Sequence, residues 1–530
     1  MVVGVGGIYH DDGVYISTAR ALAEGQGYRL INLPNAPAQT KYPPLYPALL
    51  ALIWKLWPSF PDNLLAMQWL SLLLGAVTVG VAYLYMVRGN YFCRGVGAAA
   101  SLLCTTTPFF LFFCTMTLSE IPFALCMMLA MWRLDSTLAR PAGRRYAQLV
   151  LGCLLALPFL HRTIGIVFVP LGLALLYGAG RPLRWVAVGA ATIVLPWMGW
   201  MLIGPHWHAS EVTAYYTNYL RWWSAVGAPA FGRVVFLNVL YIFWSSAAIG
   251  LGVFHADLWF PRWAWPLILM AGGIMYVELF RHLRRGRVLP CFLAAYVLVL
   301  LVWPWPAGRF LIPILPFLLA YLLGRAWNWL QKLSVLARPI CFGLTAVSLL
   351  LSMNVGLLYQ AIIISQSMHY PYLTRLEKPL SWSSYEAVFQ WIKANTRPTD
   401  VLASGFDSML YLYTQRRAFR PFVGRPASLF YGDHGPPLGP VEEIVAFLKA
   451  YKARYFVHLP MPAFQEEVPL SAFVRQAQEH SPAWLKPAYI GQDDRFVIFE
   501  LQSDRALTDM PQQIDQDTRN SYAWSGMSYD

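Results

Sequence analysis

Long apolar runs, cut by short polar loops, fill the first two thirds of the chain. A bilayer core is crossed by about 20 helical residues. Runs of that kind lie near 64–86, 95–115, 119–133, 146–160, 164–180, 185–204, 263–280, 288–304, 310–326 and 339–361, which predicts about ten spanning helices. Leu45–Leu56 is apolar but too short to span, and suits a helix lying at the interface. Basic residues then set the orientation, because short cytoplasmic loops carry excess Lys and Arg. Arg88 and Arg94, the cluster Arg133 to Arg145, Arg181 and Arg184, the cluster Arg281 to Arg287, and Arg325 to Arg338 mark five loops for the cytoplasm. The alternate loops face outward: 1–63, 116–118, 161–163, 205–262, 305–309 and everything after about 362.

Parity makes two further demands. An odd number of crossings must join the outer end at Gly204 to the cluster at Arg281, yet two apolar runs lie between, 234–254 and 263–280. The first is therefore read as re-entrant or interface-lying, joined to the aromatic stretch Tyr215–Trp223; a true span with an atypical loop charge is the alternative. An outward first loop also needs either a tail that translocates unaided or a helix ahead of the sequence as it stands, and the second is preferred.

Beyond residue 362 the period changes. Ser384–Thr396, Ser408–Tyr413, Pro440–Ala453 and 471–485 read as helical, while Val401–Ser404, Ala418–Phe422, Tyr455–Leu459 and Phe496–Leu501 read as strands. The organisation expected is a first outer loop (1–63), a transmembrane helical domain (64–361), a small α/β domain outside the membrane (362–503) and a disordered polar tail (504–530).

Composition agrees with the pattern: 57% of residues are hydrophobic and 13% charged, where a soluble chain carries about a quarter charged. The formal charge of +13 is spread through short loops, which excludes a nucleic-acid stripe. The seven cysteines show neither metal spacing nor a disulfide framework.

The polar residues of the outer loops carry the candidate chemistry. Tyr9-His10-Asp11-Asp12-Gly13-Val14-Tyr15 opens a helical stretch, and Lys41-Tyr42-Pro43-Pro44-Leu45-Tyr46 follows in the same loop. One aspartate can be a helix N-cap. In a polar outer loop the pair also suits a general base (Asp11) with a neighbour (Asp12) that orients an acceptor or holds a divalent ion. Lys41 offers a compact charge to phosphate, stiffened by the prolines behind it. Glu120, in Ser119-Glu120-Ile121-Pro122, caps the following helix or binds acceptor or metal. His161-Arg162 and Arg309 lie at two more outer turns, where snorkelling to headgroups competes with a role in a site. A base for an acceptor hydroxyl, with cations for a departing phosphate, is what transfer of a group from a lipid phosphate requires.

At these residues the sequence resembles the GT-C superfamily of polyprenyl-phosphate-sugar-dependent glycosyltransferases, and most of all bacterial glycosyltransferase family 39 with the protein O-mannosyltransferases and lipid A aminoarabinose transferases. The likeness runs over roughly residues 8–420. It rests on His10 to Leu22, Tyr42 to Tyr46, Ser119 to Phe123 and Arg309-Phe310-Leu311-Ile312-Pro313. It implies an inverting transferase of the bacterial inner membrane, with its active site and C-terminal domain facing the periplasm. The partners implied are a polyprenyl-phosphate sugar donor and a glycan, lipid or protein acceptor. The family's first-loop acid maps to Asp11 and its second acidic position to Asp12. The lysine that meets donor phosphate in the aminoarabinose transferases maps to Lys41, although Tyr42 here separates it from the prolines. The resemblance names no certain cofactor; a divalent metal, if used, falls to Asp12 and Glu120. A transporter or lipid flippase is the rival reading, and it requires a central two-sided cavity in place of a pocket joining Asp11 to Arg309.

Overall fold

The computed structural model describes residues 5–140, 144–204, 228–252, 265–332, 381–461 and 464–502, with scattered helical positions between 343 and 358. The aromatic stretch Tyr215–Trp223, most of the run 339–361 and the tail 504–530 lie outside the described residues.

The first loop folds into two helices, α1 (Asp11–Ala23) and α2 (Leu45–Leu56). α2 has the bounds expected, and its apolar face carries Tyr46, Leu50 and Trp54 into the core. Next come α3 (Leu64–Arg88), α4 (Arg94–Thr106), α5 (Pro108–Thr115), α6 (Glu120–Leu138), α7 (Arg145–Ala156), α8 (Phe168–Gly178) and α9 (Arg184–Ile203). Helices Ala228–Gly250, Trp265–Leu283, Val288–Leu301 and Leu315–Leu330 complete the described bundle.

Six helices among the described residues are long and apolar enough to cross a membrane, or seven if α4 and α5 count as one bent span. The expected count of about ten is not confirmed among the described residues: 146–160, 164–180 and 288–304 contain α-helices of only 12, 11 and 14 residues. The run 95–115 is not straight either. It bends by 66° where Thr107 precedes Pro108, because a residue before proline is steered to extended backbone and Thr107 sits at ψ 128°.

Residues 234–250 of the run 234–254, read as re-entrant or interface-lying, lie within one helix. Ala228–Gly250 is a continuous 23-residue helix that meets the length and hydropathy of a span. It packs along Trp265–Leu283 so closely that a Cβ on Gly272 would lie 1.9 Å from the Phe243 carbonyl oxygen. Close approach through glycine is how helices associate in lipid, where no hydrophobic force drives them together.

The loops marked by arginine do gather at one end of the bundle. Arg287 donates to the carbonyls of Gly89 and, at 3.0 Å, Asn90, Arg181 donates to the Leu138 carbonyl at 3.0 Å, and Arg325 lies 3.5 Å from Glu278.

The C-terminal part is a small α/β layer. Its five-stranded sheet has the order β2-β1-β3-β5-β4, with β1 at Val401–Ala403, β2 at Ala418–Phe419, β3 at Ala453–His458, β4 at Leu485–Ile490 and β5 at Val497–Leu501. β2, β1 and β3 run parallel, and β5 and β4 add antiparallel. The strand β4 was not expected: Lys486 and Pro487 break its alternation, and its outer face is exposed. Helix Asp407–Thr414 packs directly on the start of α1. A Cβ on Gly13 would lie 2.4 Å from Ser408 Oγ, and one on Gly7, whose φ is +86°, 2.8 Å from Met409 Cα. Both glycines are required by this contact.

Candidate active site

A cavity of about 380 Å³ opens between the bundle and the C-terminal layer, within the range of small-molecule sites. Asp11, Lys41, His161, Arg162 and Arg309 all line it. Each arrives from a different local device. Asp11 is the first residue of α1, placed there by His10, which adopts a φ of 58° and turns the chain into the helix. Lys41 and Tyr42 are held by Gln39, whose side-chain oxygen accepts both their amides at 2.9 and 3.1 Å. Arg162 is an extended residue between two single-turn 3-10 helices, Leu157–Leu160 and Thr163–Val167. Arg309 sits at the head of a third, Gly308–Ile314, anchored by the Tyr296 hydroxyl donating to the Phe310 carbonyl at 2.8 Å.

The charges alternate along one chain. Asp11 Oδ2 accepts from Arg309 Nη2 at 2.5 Å, Arg309 Nε lies 3.7 Å from Glu120 Oε1, and Glu120 Oε1 lies 2.6 Å from Arg162 Nη1. Glu120 heads α6, where the helix N-terminus favours a carboxylate. It is buried behind the two arginines and does not line the cavity. Both arginines stack over the Phe310 ring, at 4.7 and 5.0 Å from its centroid. The other oxygen of Asp11 accepts from the Tyr42 hydroxyl. Tyr42 was read only as an interruption before the prolines; it is the second hydrogen-bond partner of the central acid.

The two aspartates have opposite environments. Burial pushes Asp11 upward, but Arg309, with His10, the Tyr42 hydroxyl and Lys41, outweighs it and holds the carboxyl well below the usual range. Asp12 points away from the cavity. Its oxygens accept the backbone amides of Gly7 at 2.7 Å and Tyr9 at 2.9 Å, and burial raises its pKa to about 6 in spite of them. Asp12, expected to share the chemistry, fastens the chain ahead of α1 through these amides, while Asp11 lines the cavity. A divalent ion does not fit the residues first assigned to it. Asp12 is occupied by amides and Glu120 by two guanidinium groups. Among the described residues no group of three His, Cys, Asp or Glu side chains is placed to hold a metal ion.

Lys41 is buried, and that burial, opposed by Asp11 and reinforced by Arg420 and Arg309, lowers its pKa to about 7. His161 is buried too, its Nδ1 has no hydrogen-bond partner, and burial lowers its pKa to about 3. It is therefore neutral, and suits a hydroxyl better than the phosphate it was grouped with.

The C-terminal layer contributes a wall that sequence reasoning missed. Arg420, Phe464, Gln465 and Glu466 line the cavity, and the wall is clasped to the first loop. His10 Nδ1 lies 3.1 Å from Asp407 Oδ1, Asn32 Nδ2 donates to Asp407 Oδ2 at 3.0 Å, and the Ala418 amide donates to the Asn32 carbonyl at 2.8 Å. The histidine of His10-Asp11-Asp12 was the available signal; its partner, 397 residues away, was not.

Residues 41–200 match the family model of dolichyl-phosphate-mannose-protein mannosyltransferases. Among solved structures, ArnT from Cupriavidus metallidurans bound to undecaprenyl phosphate has the same fold, with a TM-score of 0.52 at 13% identity over 93% of each chain. Its apo form follows at a TM-score of 0.49 and 14% identity over 92% of each. The oligosaccharyltransferase AglB from Archaeoglobus fulgidus follows at 0.48 and 13% identity, over 86% of this chain and 65% of that one. No curated protein matches the chain by sequence. The chain thus shares the fold of ArnT, and its residues 41–200 are similar to the dolichyl-phosphate-mannose-protein mannosyltransferases.

Proposed function

We propose that the chain moves a monosaccharide from a polyprenyl-phosphate donor to an acceptor hydroxyl, with inversion, on the periplasmic side of a bacterial inner membrane. The observation that carries this is the direct pairing of Asp11 with Arg309 in a cavity that Lys41 also lines. The cavity lies among loops at the end of the bundle away from the arginine-rich loops, as a transferase requires and a two-sided transporter does not. The basic loops at the far end favour the cytoplasm there, by the rule that sets topology.

The chemistry follows from the charges. Lys41 and Arg309 hold the donor phosphate, which carries one negative charge as a diester and gains a second on leaving as a monoester. Cations placed at that oxygen therefore bind the transition state more strongly than the substrate. The acceptor oxygen attacks the anomeric carbon from the face opposite the phosphate, and the carbon–oxygen bond electrons pass to the phosphate. Asp11 receives the acceptor's proton. A carboxylate held so far below its usual range is a weak base, so the proton leaves late, once the new bond has made the hydroxyl acidic. Neutral His161 and the indoles of Trp303 and Trp305, which line the same cavity, suit the uncharged sugar. The four regions expected from the sequence stand as a proposal, with the first loop and the 362–503 layer jointly forming the site.

The test is transfer of radiolabelled sugar from native membrane donor lipids in cells carrying the wild-type chain or Asp11→Asn. Loss of transfer by about 100-fold or more, with equal protein in the membrane, is expected. Retained transfer moves the base elsewhere.

A further inference from the structure

The three parallel strands of the C-terminal sheet each hand a polar residue to the same edge. The chain leaving β1 reaches Asp407, the chain leaving β2 reaches Arg420, and the chain leaving β3 reaches Glu466. Ligands of open α/β sheets bind off the carboxyl ends of the strands, where successive loops converge. Here that edge faces the bundle, and two of the three residues line the cavity.

Arg420 is 3% exposed and tightly oriented. Its Nε donates to the Gly405 carbonyl at 2.9 Å and lies 3.9 Å from Asp407 Oδ1, and its guanidinium packs over the rings of Phe464 at 5.1 Å and Phe422 at 5.7 Å. Lys41 and Arg309 line the same cavity, and both Arg420 and Arg309 act on Lys41 as like charges. Asp11 and Asp407 offset part of this charge from beside Arg309 and Arg420, and a phosphate entering the cavity would meet three cations at once.

We propose that Arg420 is a ligand of the donor phosphate supplied by the C-terminal layer, acting beside Lys41 and Arg309. Binding of the lipid phosphate then clamps that layer onto the bundle. This rests on the reading of the cavity as a lipid-phosphate site. It gives the C-terminal layer a task in the reaction, since a third cation matters most when the phosphate acquires its second charge. Glu466, buried at the same edge, is pushed up by burial while Arg420 draws it back.

The experiment uses the full chain in nanodiscs of zwitterionic lipid with undecaprenyl phosphate as the probe. Arg420→Gln is expected to weaken binding by about tenfold or more, as for a charge-assisted hydrogen bond, and Arg420→Lys to recover most of it. Arg454→Gln, on the same sheet where Arg454 pairs with Asp400 and Glu500 at 3.4 Å, controls for general damage and should bind as wild type. Amide exchange in Asp407–Thr414 should slow on lipid addition in the wild type and stay unchanged in Arg420→Gln, a response that a merely structural arginine does not give. Wild-type affinity in Arg420→Gln, or exchange in that helix indifferent to bound lipid, overturns the proposal and leaves the donor reading standing. Failure of the wild type to bind the probe, or full-strength binding by Lys41→Gln, removes the donor reading itself and this inference with it.

Discussion

Asp11 and Asp12 are adjacent in sequence and opposite in work, because successive residues at a helix start point in different directions. Asp11 faces Arg309 and the cavity, whereas Asp12 turns back onto the amides of Gly7 and Tyr9. Asp12→Asn keeps one acceptor oxygen and is expected to retain transfer within about tenfold while lowering yield or thermal stability by about 1–3 kcal/mol; a collapse of kcat in a normally folded variant would restore a catalytic role. Lys41 supplies a pH signature. Its ammonium is lost above about pH 7 in the empty site, since burial lowers its pKa, and a bound phosphate raises that value again. Donor affinity should be flat below about pH 7 and fall above it, and Lys41→Arg should remove the dependence, as arginine keeps its charge. Measured lipid-phosphate affinity from pH 6 to 9 decides this; equal slopes in both proteins count against the lysine. The candidate residues Asp11, Lys41, Glu120, Arg162 and Arg309 could be read from the sequence because charge is costly in an apolar chain and signals purpose. Tyr42, Arg420 and Glu466 could not: their types are unremarkable, and only tertiary contact gives them meaning.

At the scale of elements, the apolar period located the helices, and the breaks in it explain the errors. α4 and α5 share one run of hydropathy but are hinged at Pro108, so a window of composition sees one helix where the backbone makes two. On parity of crossings the run at Ala228–Gly250 reads as re-entrant or interface-lying, and its polar residue, Asn238, is satisfied inside the fold. Its amide donates to the carbonyls of Leu301 at 3.0 Å and Trp303 at 2.8 Å, and its oxygen accepts from the Tyr431 hydroxyl at 2.8 Å. This helix thus touches both the Trp303 turn and the C-terminal layer. Gly272→Leu should pry it from Trp265–Leu283, lowering detergent-phase thermal stability by about 1–3 kcal/mol. An unchanged melting temperature would mean the two helices are not in contact there.

At the scale of the molecule, an apolar helical bundle and an α/β layer meet at a polar seam. Asp407 is fully buried and is shared by His10, Asn32 and Arg420. Asp407→Ala leaves those donors facing a void, at about 3 kcal/mol. Amide exchange at the first turn of α1 should then accelerate by about tenfold or more, with transfer reduced in parallel; unaltered exchange would show that the seam does not hold α1. The α/β nature of the C-terminal layer was legible from its alternating strands and amphipathic helices. Its position was not, because a docking face is defined by distant residues that no local period records.

The seam also separates what can vary from what cannot. On the proposed function, the helical half must keep the geometry that meets one chemical handle, a phosphate on a long isoprenoid. On the same proposal, the loops off β2 and β3 border the chamber from the sheet layer, so remodelling them can alter which alcohol is admitted without disturbing a single helix of the bundle.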